Sequence, residues 1–201
     1  MDDDNFRRGK PTNHVVFGEA LAILSGDGLL NLAFETMSND LLNNTLFLES
    51  YRRKSWAIYE ISKYAGIEGM IGGQVVDLFG TLDNIDCQKL KFMYEKKTAA
   101  LFQASSVVGS ILGGAREEEV EILREFALYL GLAFQIQDDI LDEDEDESID
   151  KLTYLSFYDI EKSKEDIIKY TNKALELLDR LDNRDTRFLR ELTYLLLHRK
   201  S

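Results

Sequence analysis

The sequence has one cysteine, one proline and two histidines in 201 residues. A lone Cys87 excludes a disulfide framework and a cysteine-cluster zinc site. His14 and His198 lie far apart in the chain, which argues against a histidine-rich metal centre. With Pro11 the only proline and all thirteen glycines at or before Gly131, long stretches are free to be helical. Period-two alternation is missing, and so is an Asn-Gly hairpin signal. Bases are scarce relative to acids, 24 against 37, for a net charge of −13. That excludes nucleic acid or an anionic membrane as a partner for the surface as a whole. The opening residues are acidic, with no basic-then-apolar start, so no secretory signal is expected; with the single cysteine this points to the cytoplasm. The longest uncharged run, Thr98 to Ala115, carries Gln103, Ser105, Ser106 and Ser110. It reads as a buried helix of small residues and not as a membrane span.

What is present is apolar spacing of three and four residues. Leu29, Leu32 and Ala33 begin one stripe; Ile58, Ile61, Ser62, Ala65 and Ile67 make a second. Leu123, Phe126, Ala127, Leu130 and Phe134 make a third. Leu175, Leu178 and Leu181, then Leu189, Leu192, Leu195 and Leu196, close the chain with two more. The expected class is all-α, one domain over residues 1–201, with the stripes as bundle core. Residues 80–86 and Gly113-Gly114 read as connectors, as does the acidic run after Asp142.

Two short segments hold nearly the whole net charge. Asp2, Asp3 and Asp4 form one, and nine acids between Asp138 and Asp150 form the other. Without those twelve, 25 acids face 24 bases. Phe134-Gln135-Ile136-Gln137-Asp138-Asp139-Ile140-Leu141-Asp142 is the strongest constellation. On a helix, positions i, i+1 and i+4 sit at about 0°, 100° and 40°. Asp138, Asp139 and Asp142 therefore share a face, with Gln135 one turn earlier. Hard carboxylate oxygens converging in that number suit Mg²⁺, which shares its shell with water and phosphate. The alternation Asp142, Asp144, Asp146 imitates a calcium loop, but Glu147 stands where glycine is required and Thr153 where a glutamate is. At the N-terminus, acids are followed by Arg7 and Arg8, a metal-plus-anion-clamp pattern. Lys96-Lys97-Thr98 places bases at the mouth of the uncharged helix.

Taken in order, RRGKPTNH after an acidic start, GEALAILSGDGLL, GGQVVDL, KKTAALF and FQIQDDILD resemble the trans-prenyl diphosphate synthases, or polyprenyl synthetases. The opening block is most similar to the bacterial farnesyl diphosphate synthase type. The resemblance implies a helical bundle of the isoprenoid synthase type, Mg²⁺ dependence and a homodimer. It implies a prenyltransferase that condenses an allylic diphosphate with isopentenyl diphosphate. By the same resemblance, Asp2, Asp138, Asp139 and Asp142 would hold metal. Arg7, Arg8, Gln74, Lys97, Thr98 and Gln135 would bind substrate, with Lys151 as a further phosphate contact. Lys97 and Asp138 would be catalytic, and Asp77 completes a GQxxD element with Gln74. The family's N-terminal region, with its isopentenyl diphosphate site, lies before the matching segment, so the C-terminal two-thirds of a synthase is expected here. A catalytically impaired fragment or a non-catalytic partner subunit is the alternative reading.

Overall fold

The computed structural model describes residues 3–81, 83–141 and 152–197. They divide into two compact units, Met1–Ile58 and Tyr59–Ser201.

The first unit opens with a hairpin that the sequence did not announce. Strands β1 (Phe6–Arg7) and β2 (Lys10–Pro11) pair antiparallel, Arg7 opposite Lys10. The turn between them needs positive φ at both central residues, and Arg8 and Gly9 adopt it, at 52° and 71°. Arginine is a rare choice there, and two-residue strands are too short to alternate, so neither hairpin signal was present. Thr12 closes the hairpin: its N–H donates to Asn5 O at 3.0 Å and its hydroxyl to Asp4 O at 2.7 Å. Helices α1 (Asn13–Phe17) and α2 (Glu19–Asn43) follow, and α3 (Leu48–Ala65) contributes its first part. The expectation that Leu29 and Leu32 form core fails, because they are 69% and 52% exposed.

The second unit carries the core. After the rest of α3 come α4 (Met70–Phe79), α5 (Cys87–Tyr94), a wide π-turn (Glu95–Ala99), α6 (Ala100–Leu112) and α7 (Glu117–Leu141). A 3-10 turn (Tyr154–Ser156), α8 (Ile160–Asp179) and α9 (Arg187–Leu197) complete it. α3 stops at Ala65, so Ile67 falls outside the helix and is exposed; Gly66 intervenes. Asp86 caps α5 by accepting from the N–H groups of Gln88 and Lys89, and Asp159 caps α8 through Lys162 N–H. α7 is the spine. Its Phe126, Ala127 and Leu130 bury against Ala174, Leu177, Leu178 and Leu181. Further along, Leu132, Ala133 and Ile136 bury against Leu90, Met93, Tyr94 and Ile167. Each large side chain so removed from water is worth about 1.5–3 kcal/mol. The uncharged run forms the end of the π-turn and α6, with Ala99, Ala100, Val107 and Ile111 buried. No helix among the described residues is long and apolar enough to cross a membrane.

Two buried carboxylates of this unit, Glu60 and Glu119, are paired with arginines. Arg124 of α7 donates two hydrogen bonds to Glu60 of α3, at 2.9 and 3.0 Å, and one to the Tyr64 hydroxyl. Glu119 in the first turn of α7 accepts two from Arg184, both 2.8 Å, and one from Arg116 N–H at 2.7 Å. The Arg184 guanidinium, then that N–H, hold its carboxyl well below the ordinary 4.5. A carboxyl depressed in the folded state stabilises the fold above its ordinary value and loses that contribution as pH falls. The urea midpoint should therefore drop on going from pH 7 to pH 3. Glu119→Gln should show a smaller drop; an equal drop in both would remove Glu119 as its source.

Candidate active site

The π-turn is the centre of the site. A π-turn widens the helix by one residue per turn and is common at functional positions. Here it lies between two glycines. A methyl group on Gly73 of α4 would sit 2.7 Å from Lys96 C and Lys97 Cα, and closer still to Lys97 N. One on Gly131 of α7 would sit 2.6 Å from Ala99 Cα. Only bare backbone lets α4 and α7 approach the turn this closely.

That approach sets Lys97. Its ammonium donates to Asp77 Oδ2 of α4 at 2.6 Å, and Gln74 Nε2 donates to the same oxygen at 3.3 Å. The Asp77 side chain is only 9% exposed and that of Lys97 is 26% exposed. A lysine has three donors, so two N–H bonds remain for an anion while the buried acid holds the stem in place.

The neighbouring Thr98 faces α7. Its hydroxyl donates to Gln135 Oε1 at 2.6 Å, and Gln135 Nε2 donates to Asp139 Oδ1 at 2.9 Å. Asp139 is buried. Its other oxygen accepts from the Tyr94 hydroxyl and, at 2.6 Å, from Tyr154 N–H. Burial pushes the Asp139 carboxyl above its ordinary value, and the three donors pull against that. Burial and the adjacent Asp139 likewise raise Tyr94, which keeps its proton and is the donor. The Tyr154 hydroxyl donates to Asp166 at 2.9 Å, and Lys162 donates to the other oxygen of Asp166 at 2.9 Å.

The structure thus brings Gln74, Lys97, Thr98 and Gln135 into one hydrogen-bonded neighbourhood, with Asp138 half-buried beside Asp139 on α7. Arg7 and Arg8 stand exposed on the hairpin of the first unit. Asp2, Asp142 and Lys151 lie outside the described residues. Tyr94 and Tyr154 were missed: Tyr94 lies 45 positions from Asp139, and no local spacing links them. Among the described residues, no three acidic, histidine or cysteine side chains are grouped to hold a metal ion. Asp138 offers the hard oxygens that Mg²⁺ takes. Asp139 carries donors on both oxygens, two on Oδ2 and one on Oδ1.

Among solved structures, the chain matches an apo FPP/GFPP synthase from Zymomonas mobilis. They are 32% identical with a TM-score of 0.84, over 98% of this chain and 68% of that one. A geranyltransferase from Helicobacter pylori, complexed with magnesium and isoprenyl diphosphate, is 32% identical with a TM-score of 0.80, over 98% and 66%. The fold is therefore the all-α isoprenoid synthase fold. The family profile described as polyprenyl synthetase matches residues 1–177, and the chain belongs to that family. A heterodimeric geranylgeranyl pyrophosphate synthase large subunit of Arabidopsis thaliana is 42% identical over 89% of this chain and 51% of its own length. A farnesyl diphosphate synthase of Bacillus subtilis is 39% identical over 89% and 62%. The chain spans between half and two-thirds of the length of these curated relatives.

Proposed function

We propose that this chain is a prenyltransferase that joins an allylic diphosphate to isopentenyl diphosphate, giving a longer prenyl diphosphate of the geranyl or farnesyl type. One observation carries the reading: Lys97, held by part-buried Asp77, has two further donors to offer beside Thr98 and its partner Gln135. Lys97 grips the allylic diphosphate, and Gln74 steadies Asp77; Arg7 and Arg8 are carried as diphosphate-binding residues on the family resemblance alone. As the allylic C–O bond breaks, its electron pair leaves on the diphosphate, where fixed cationic donors are worth most. The double bond of isopentenyl diphosphate then supplies the pair for the new C–C bond, and a proton is lost. Mg²⁺, when bound, supplies Lewis-acid stabilisation of the departing diphosphate. Asp138 would hold it; Asp2 and Asp142 are carried as metal residues on the family resemblance alone. Lys151 is carried in this reading as a further phosphate contact, and a homodimer in the cytoplasm as the working state.

The test is turnover. The purified chain, given geranyl diphosphate, isopentenyl diphosphate and MgCl₂, should release inorganic diphosphate and a longer prenyl diphosphate. Chelation should stop both, and Asp138→Asn should raise the Mg²⁺ concentration required. No product at any Mg²⁺ concentration would overturn the reading.

A further inference from the structure

The hairpin of the first unit gathers positive charge and gives it no counter-charge. From Asn5 to Thr12 the chain holds Arg7, Arg8 and Lys10 and no acid, within a sequence whose net charge is −13. All three stand exposed. Among the described residues, no side-chain hydrogen bond or ion pair involves any of them. Elsewhere Arg53, Arg124, Arg184 and Arg190 each meet a carboxylate.

The strand register sharpens the contrast. Arg7 stands directly opposite Lys10. Opposed residues of an antiparallel pair share a face, with Cβ atoms roughly 4.5–5.5 Å apart, and like charges placed so are destabilising. Here they weaken a hairpin with only two residues in each strand. The turn adds strain, because Arg8 holds φ at 52°, where asparagine or glycine is the usual choice. Both features make the empty hairpin less stable, and both make sense once an anion sits against it. A guanidinium supplies a flat fork of donors and an ammonium a compact charge, so the opposed pair suits a phosphate oxygen cluster.

We propose that Lys10 is a diphosphate-binding residue: across the hairpin from Arg7, it closes with that arginine on a single phosphate group, whose charge removes the repulsion between them. This role rests on the functional reading above for one thing, that the anion is a substrate's diphosphate. Arg7 and Arg8 entered that reading by resemblance; Lys10 enters it by strand register.

The first readout is independent of activity. Inorganic pyrophosphate, added without Mg²⁺ to the full ¹⁵N-labelled chain, should shift the backbone amides of Arg8 and Gly9. Lys10→Gln should raise the half-saturating concentration at those amides about tenfold, the scale of one charge-assisted hydrogen bond. Lys10→Arg should stay close to the wild type. Lys164→Gln, which removes an exposed lysine from α8, should change nothing. The Arg7→Gln/Lys10→Gln double variant should lose less than the product of the two single losses, because both cations hold one group. Without ligand, the urea midpoint of Lys10→Gln should equal or exceed that of the wild type, since a like-charge contact is gone. Wild-type hairpin amides indifferent to millimolar pyrophosphate overturn the proposal. So does a Lys10→Gln variant that binds as the wild type does, an equal loss in Lys164→Gln, or a lowered urea midpoint, which would mark a structural lysine.

The second readout is kinetic and names the substrate. Lys10→Gln should raise KM for either geranyl diphosphate or isopentenyl diphosphate about tenfold while kcat changes little. Unchanged KM for both overturns the proposal. If the wild-type chain shows no turnover, the functional reading falls while the amide titration alone decides the role of Lys10.

Discussion

Gly73→Ala should destabilise this protein by about 3 kcal/mol, the upper end of ordinary overpacking, and should remove turnover with it. The added methyl would meet backbone and not a flexible side chain: Lys96 C and Lys97 Cα at 2.7 Å, with Lys97 N nearer still. Neither partner can yield cheaply. The π-turn is backed on its other side by Gly131, whose own methyl would stand 2.6 Å from Ala99 Cα. A displacement of the turn by even about 1 Å carries Lys97 and Thr98 with it, and misplacement on that scale can cost roughly 10²-fold in rate. The urea midpoint and the steady-state rate measure the two effects. Gly109→Ala is the control, since nothing lies within 4 Å of the methyl it would add to α6. That substitution should gain about 0.5–1 kcal/mol from helix propensity. Equal behaviour of the two variants would mean that the close approach of α4 to the turn has no energetic weight.

Lys97→Ala should lower kcat/KM by roughly 10²–10³-fold, the loss typical of removing one preorganised donor from a developing anion. It should also cost about 1–3 kcal/mol of stability, because Asp77 loses its partner in a buried position. The two effects can be separated. Lys97→Ala with Asp77→Asn removes the stranded charge, so stability should return while turnover stays low. Recovery of turnover along with stability would assign Lys97 a purely structural role, with the diphosphate held elsewhere.

Much of the site was legible because its parts are local. Gln135 and Asp139 stand four residues apart, and a helix at that position necessarily sets them on one face; the 2.9 Å hydrogen bond between them follows from that spacing. The helical class, the connector before Asp86 and the break at Gly113-Gly114 were legible for the same reason: caps, glycines and apolar periods act over a few residues. The hairpin carrying Arg7 and Arg8 was not, since an arginine took the left-handed position usually given to asparagine or glycine.

Legibility ended where partners come from distant parts of the chain. Asp138 and Asp139 stand on α7 while Asp142 lies outside the described residues, and the sequence was silent about what these acids meet. Three carboxylates close together in sequence read as a cation site; only the structure adds that Tyr94, Gln135 and Tyr154 N–H donate to Asp139. Likewise, Lys97 read as a base at a helix mouth, while Asp77, twenty positions earlier, decides where its ammonium points. Sequence alone determined which residues could bind diphosphate and metal, because charge and donor type belong to the side chain itself. Tertiary structure decided which of them remain available, because hydrogen-bond capacity is finite and the packing of α4, α5 and α7 around the π-turn determines where it is used.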